Sequence, residues 1–249
     1  MPQLSVVIIT FNEEKNIARC LESIQGIADD IVVVDSFSTD KTENICKQFN
    51  ANFTQHKWEG YSGTKNFANA QAKFDWILSL DADEALSEEL KKSILEQKKS
   101  DKLCTCKFNR VTNYCGSWIR HGGWYPDTKI RIFDRTITKW LGIIHEELSF
   151  SKQVDIIHLK GDCLHYSYYS IEQHYKQADN FTTIAAKDLH SQDKKSSAIQ
   201  VYVSPVIKFI RDYFIKGGFM DGRAGYTVAR ISAYATYLKY KKLSDLYKP

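Results

Sequence analysis

Alternating β and α signals over residues 1–100, a change of texture near Leu103 and a return of helical periodicity near Ser170 predict an α/β protein. The expected architecture is a doubly wound, mixed and mainly parallel sheet followed by a C-terminal helical extension. The breaks in pattern put a main domain at 1–169, with halves 1–100 and 101–169, and the extension at 170–249.

Leu4 to Thr10 is a β-branched apolar run. It is followed by Asn12-Glu13-Glu14, which opens a helix with apolar Ile17, Leu21 and Ile24 at i, i+4 and i+7. Ile31 to Asp35 repeats the strand pattern, and Asp40 with Glu43 has the spacing of a capping box for a second helix. A short strand near Ala51 to Thr54, a helix from about Asn66 to Ala72 and the strand Trp76 to Leu80 complete the alternating half. Beyond Leu103 the chain turns aromatic and turn-rich, with Gly122-Gly-Trp-Tyr-Pro126 and a strand-like Lys129 to Phe133, so the sheet continues with mixed strands. Residues 171–190 read as a helix, Ser191 to Ser197 as a polar loop, and Val206 onward as two amphipathic helices broken at Gly217-Gly218 and Gly222.

The 249 residues are 43% hydrophobic and 26% charged, the balance of a globular protein with a sizeable core. A formal charge of +4 is too small to argue for nucleic acid, but 200–249 holds nine basic residues against Asp212, Asp221 and Asp245. Six cysteines without a C-x-x-C pair, and an N-terminus lacking a signal core, point to free thiols in the cytoplasm. No apolar segment has the length to span a bilayer.

Four polar clusters fall at expected strand ends: Thr10-Phe-Asn-Glu13, Asp35-Ser36 through Asp40, Gly63-Thr-Lys-Asn66 and Asp81-Ala-Asp83. Loops at the carboxyl edge of a parallel sheet converge, so these groups can surround one ligand. A mononucleotide fits them. Asp35 can accept from a base N–H, Thr10 and Glu13 can bond base or ribose, Lys65 can neutralise phosphate, and a divalent cation can bridge a diphosphate to Asp81 and Asp83. Taken alone, Asp81 and Asp83 read more readily as caps for the helix beginning near Ser87, and it is the flanking motifs that favour a ligand site. There is no G-x-x-x-x-G-K-[ST], nor a G-x-G-x-x-G after the first strand, which disfavours P-loop hydrolysis and dinucleotide redox chemistry.

Ser5 to Glu13, Val34-Asp-Ser-Phe-Ser-Thr-Asp40 and Asp81-Ala-Asp83 resemble the family 2 inverting glycosyltransferases, which have the nucleotide-sugar-binding GT-A fold. Trp58-Glu-Gly-Tyr61, Gly123-Trp-Tyr-Pro-Asp127, Arg131-Ile-Phe133 and Gly217-Gly-Phe-Met-Asp-Gly222 resemble the branch of lipopolysaccharide-core β-glucosyltransferases. The resemblance implies a catalytic domain over 1–169, with a nucleotide-binding half and an acceptor half. It also implies that Thr10, Asn12, Glu13, Asp35, Ser36, Lys65 and Asp81 hold the nucleotide sugar, a UDP-hexose. Asp83, with Asp81 and a later histidine, His145, would hold Mn²⁺ or Mg²⁺.

Inverting transfer needs a base for the acceptor hydroxyl. Glu146, in His145-Glu-Glu147, is the first choice and Asp127 the second, although either can be a turn carboxylate. Arg131 and Arg120 are candidates to stabilise the diphosphate, or else to pair with acids. Trp124 and Tyr125 are candidates to stack on the acceptor sugar, or to pack. In the extension Val228, Ile231, Ala235 and Leu238 form an apolar stripe away from Arg230, Lys241 and Lys242. It suits a membrane surface bearing a glycolipid acceptor, or docking on the protein's own core or on a second subunit to form a homodimer. Rival functions are transfer to another glycan or a polyprenyl-linked acceptor, a silent nucleotide-sugar-binding protein, and a nucleotidyltransferase.

Overall fold

The computed structural model describes residues 1–100, 104–142 and 147–247. Its backbone groups into two compact units: Met1–Arg110 with Asp127–His165, and Val111–Pro126 with Tyr166 to the C-terminus.

The first unit is built on the expected mixed sheet. Strands β1 (Leu4–Thr10), β2 (Asp30–Asp35), β3 (Asn52–Gln55) and β4 (Trp76–Asp81) pair in parallel in the order β3-β2-β1-β4. The sheet then continues through strands outside the parallel set. These are β5 (Glu84–Leu86), β6 (Thr105–Tyr114), β8 (Asp127–Asp134) and, beyond the β9 (Thr138–Leu141) and β10 (Glu147–Phe150) hairpin, β11 (Ile156–Tyr168); the short β7 (Ser117–Ile119) pairs with the end of β6 and belongs to the second unit. The order beyond β4 is β8-β6-β11-β5, with β8 antiparallel to β4 and to β6, and β5 antiparallel to β11.

Both faces of the parallel half are covered, which is why its strands read as unbroken apolar runs. Leu4, Val6 and Ile8 point with Leu78 and Leu80 into a core closed by α1 (Ile17–Ser23) and α4 (Glu88–Lys99). Val7, Ile9, Val32 and Ile77 point the other way, onto Ala68 of α3 (Gly60–Ala70). Burying each such aliphatic side chain contributes about 1.5–3 kcal/mol.

Several expected boundaries move, each for a local reason. The first helix starts at Ile17, because Asn12 takes a left-handed φ of 54° and Glu14 to Asn16 form a turn. The Asp40–Glu43 capping box is absent: Asp40 Oδ1 accepts from the Thr42 amide at 2.9 Å and Oδ2 from the Glu14 amide at 3.0 Å, and α2 runs Thr42–Gln48. Gly63 to Asn66, expected at a strand end, lies inside α3, where Asn66 is tied to the Trp140 backbone by two 2.9 Å bonds. Helix α4 is capped by Ser87, whose hydroxyl accepts from the Leu90 amide at 3.2 Å, so Asp81 and Asp83 do not cap it.

In the second unit α5 (Ile171–Ser191) starts at a capping box of Ser170 and Gln173 and packs on α8 (Gly222–Asp245). Helix returns at α6 (Ala198–Tyr202), earlier than expected, and continues through α7 (Ser204–Ile210), a π-helical turn at Arg211–Ile215 and a 3₁₀ turn at Gly218–Asp221. Of the settings open to the Val228, Ile231, Ala235 and Leu238 stripe, docking on the protein's own core is the one observed. Val228 and Ile231 are buried, Val228 against Tyr114 and Ile119, and Ala235 and Leu238 are half-buried. No helix among the described residues is long and apolar enough to cross a membrane.

Candidate functional site

At the carboxyl ends of β1 and β2, Thr10 lies in register with Asp35, and the Thr10 carbonyl accepts from the Ser36 amide at 2.9 Å. Asp35 is buried and occupied: its carboxylate accepts from the Ser38 amide at 2.8 Å and from the Ser38 hydroxyl. The Ser38 hydroxyl in turn accepts from the Asn12 amide at 2.7 Å, and Asn12 Oδ1 accepts from the Thr39 amide at 2.8 Å, so the two loops latch together. The Thr10 hydroxyl is buried with no hydrogen-bond partner among the described residues, an arrangement that costs free energy unless something else supplies one. The Glu13 carboxylate accepts from the Asn16 side-chain amide at 2.7 Å; burial raises its pKa, Asn16 opposes the rise and nearby Asp83 adds to it.

At the end of β4 lies a lattice of buried charges. Lys65, 1% exposed on α3, approaches Asp81 Oδ1 at 3.1 Å, while Arg131 on β8 donates to Asp81 Oδ2 at 2.9 Å. The same Arg131 nitrogen reaches Glu84 Oε1 at 2.7 Å, and Arg110 reaches that oxygen at 3.1 Å. Glu84 Oε2 accepts from the Asp81 amide at 3.0 Å. Arg110 also holds Asp127 Oδ2 through Nε at 2.9 Å, and Lys129 approaches Asp127 Oδ1 at 3.0 Å. Burial alone would raise the Asp81 carboxyl, but Lys65 and Arg131 outweigh it and hold the group far below the usual carboxylate range. For Asp127, burial is likewise outweighed by Arg110 and Lys129, so its pKa is lowered.

Asp83 differs from Asp81. Its Oδ2 lies 3.2 Å from Nε2 of His165, which sits opposite Glu84 on β11, and no lysine or arginine is paired with it among the described residues. The two aspartates of the triplet thus have separate environments, one saturated by cations and one beside an imidazole. The described residues contain no group of three or more Asp, Glu, His or Cys side chains able to hold a metal. Asp83 and His165 supply two donors, which fits a Mg²⁺- or Mn²⁺-type ion that draws its remaining oxygens from a phosphate ligand and water rather than from a protein cage.

The structure therefore gathers Thr10, Asn12, Glu13, Asp35 and Ser36 at the β1 and β2 ends, and Lys65, Asp81, Asp127 and Arg131 in one charge lattice. Trp124 and Tyr125 belong to the other compact unit. There the Trp124 ring packs 5.5 Å from Tyr168 and 5.3 Å from His174, and Tyr125 lies under Arg120 at 5.8 Å. His145 and Glu146 lie outside the described residues. Sequence reasoning missed Glu84, Arg110 and His165; the only trace they leave is a charged residue in a strand-forming run, the mark of a buried ion pair.

Residues 5–174 match the profile of the family described as Glycosyl transferase family 2. An uncharacterized glycosyltransferase of Rickettsia typhi is 34% identical over 258 aligned residues, covering 99% of this chain and 88% of that protein. A lipopolysaccharide core biosynthesis glycosyltransferase of Rhizobium meliloti, LpsC, is 27% identical over 96% of this chain and 91% of its own length. Among solved structures, Staphylococcus aureus TarS superposes with a TM-score of 0.49 at 16% identity, over 95% of this chain and 55% of TarS.

Proposed function

The chain belongs to glycosyl transferase family 2, and from that premise we propose that it is an inverting, divalent-cation-dependent transferase moving glucose from UDP-glucose to a lipopolysaccharide-core sugar or related glycolipid. The observation that carries the reading is the asymmetry of the two aspartates: Asp81 neutralised by Lys65 and Arg131, Asp83 facing His165, both at the strand end where a nucleotide diphosphate would lie. The kinship with LpsC supports the acceptor class. On this reading the functional division is a catalytic domain over 1–169 and a helical extension over 170–249, at the cytoplasmic face of the membrane.

Each residue then has a distinct task. The Thr10 hydroxyl, otherwise unpartnered, bonds the base or ribose, with Asn12, Glu13, Asp35 and Ser36 shaping the nucleoside subsite. Asp83 and His165 would hold a Mn²⁺ or Mg²⁺ ion, which when bound would neutralise charge on the departing diphosphate. His145 is the alternative third ligand. Lys65 and Arg131 keep Asp81 ionised and in position, so Arg131 acts through Asp81 and Glu84 rather than on the leaving group. Glu146 removes the acceptor proton as the hydroxyl oxygen bonds to the anomeric carbon and the diphosphate departs with the bonding pair. What supports Glu146 over Asp127 is that Arg110 and Lys129 depress the basicity of Asp127.

The test is a panel of nucleotide sugars with Mn²⁺ or Mg²⁺, followed by UDP release, anomeric configuration of the product and thermal protection. A saturating donor at 100 times its Kd should add about 2.7 kcal/mol. Absence of both stabilisation and UDP release across the panel would refute the proposal.

A further inference from the structure

Within the second unit, α6, α7 and the π-helical turn carry an apolar stripe that faces outward. Ile199, Tyr202, Val206, Ile210 and Phe214 recur at intervals of three and four residues, and all are exposed, Ile199 at 66% and Phe214 at 58%. The opposite side of the same segment is anchored: Val201 and Asp212 are buried, and α7 packs on α8. The 3₁₀ turn extends the stripe with Phe219 and Met220, both exposed.

Two glycines hold that turn in place by close approach. A Cβ on Gly225 would sit 1.9 Å from the Gly218 carbonyl oxygen, and one on Gly218 would sit 2.7 Å from the Asp212 carbonyl oxygen. The 3₁₀ turn that carries Phe219 and Met220 is therefore tightly packed at its backbone, and the contiguity of the exposed apolar residues is unlike the scattered ones of an ordinary surface.

The charges around the stripe identify what covers it. Between Lys194 and Tyr226 the acidic residues are Asp212 and Asp221, and both are turned inward. Asp212 is bound by Lys208 at 2.7 Å and Arg211 at 2.9 Å, and Asp221 by His121 at 2.8 Å. The exposed Lys194, Lys195, Lys216 and Arg223 have no acidic partner among the described residues. A second copy docked stripe to stripe would bring like charges together around its rim. A bilayer with anionic headgroups satisfies the rim and the stripe at once, with tyrosine and phenylalanine rings at the headgroup level.

We propose that residues 199–220 form an in-plane docking face for an anionic lipid surface. This deepens the proposed membrane location, which the sequence placed on a stripe that the structure buries, and it stands apart from the sugar chemistry in its test. The full-length protein is mixed with vesicles of neutral phosphatidylcholine, or with roughly one third anionic phosphatidylglycerol, and sedimented. Wild type should pellet with the anionic vesicles, and added salt should weaken binding.

Ile210→Glu/Phe214→Glu should lower the partition coefficient at least about tenfold. Its thermal midpoint, UDP-sugar binding and mass by light scattering should match wild type. Lys216→Glu/Arg223→Glu should lose mainly the anionic preference. Wild type left in the supernatant, or an apolar-face variant that still pellets, would overturn the proposal. So would a dimer that the same variant converts to monomer without a change in vesicle binding, since the occupant would then be a second copy. Vesicle binding by a protein that transfers no sugar would overturn the transferase reading and leave this one standing.

Discussion

Replacing Glu84 by glutamine tests whether the buried lattice holds the Asp81-Ala-Asp83 turn in place. The Glu84 carboxylate is fully buried and accepts from Arg131 at 2.7 Å, from Arg110 at 3.1 Å and from the Asp81 amide at 3.0 Å. Glutamine keeps the shape but offers one acceptor oxygen, so its amide NH₂ must face either a guanidinium or the Asp81 N–H. Two arginines also lose a counter-charge in a site where water does not replace it. Breaking a buried ion pair by removing one partner costs about 3–5 kcal/mol.

For a protein of this size each kcal/mol moves the midpoint by about 2–4 °C, so a fall of roughly 6–20 °C is expected in thermal unfolding followed by circular dichroism. Surviving folded enzyme should also bind its donor more weakly, because the Asp81 amide no longer fixes the turn that carries Asp83. Glu84→Ala should be at least as damaging. A Glu84→Gln loss below about 1 kcal/mol, the range of an exposed pair, would refute the claim that this lattice organises the site.

Three further outcomes are expected. Asp83→Ala, at a partly exposed carboxylate, should leave the thermal midpoint nearly unchanged but abolish the extra stabilisation that Mn²⁺ with UDP confers, and His165→Ala should weaken it; calorimetric titration with both ligands checks this, and unaltered cation dependence would exclude the pair as ligands. Glu146→Gln should lower kcat by ~10²- to 10⁴-fold with donor affinity retained, whereas Asp127→Asn should act mainly on acceptor KM; the opposite pattern in steady-state kinetics would reverse the assignment. Burial pushes the His174 imidazole down to about 4, so between pH 6.5 and 4 the unfolded chain binds the extra proton, and stability present above pH 6.5 is lost as pH falls toward 4, by up to about 3 kcal/mol; urea unfolding should lose that slope in His174→Phe.

Strand and helix alternation was legible because its cause is local: β1 and β4, covered on both faces, read as unbroken apolar runs, while α1 buries one face and repeats its apolar residues every three to four positions. The polar ends of β1, β2 and β4 were legible for the same reason, since Thr10, Asp35 and Asp81 each terminate an apolar run. Gly63 to Asn66 was misread because its polar residues resemble a loop. In fact they lie inside α3, where Thr64 and Lys65 are buried and the half-buried Asn66 bonds Trp140 across a long stretch of chain.

By itself the sequence determined the fold class, the family and the position of the acidic turn, all carried by short-range patterns. Only the tertiary structure decided which aspartate is neutralised, that His165 lies beside Asp83 and which apolar face remains outside. Arg131 reaches Asp81 across 50 residues, and His165 meets Glu84 through the β11–β5 pairing. The outward stripe of α6 and α7 has the same periodicity as a buried one. Periodicity states that a helix has an apolar side; what that side faces is set by the packing of segments distant in the chain.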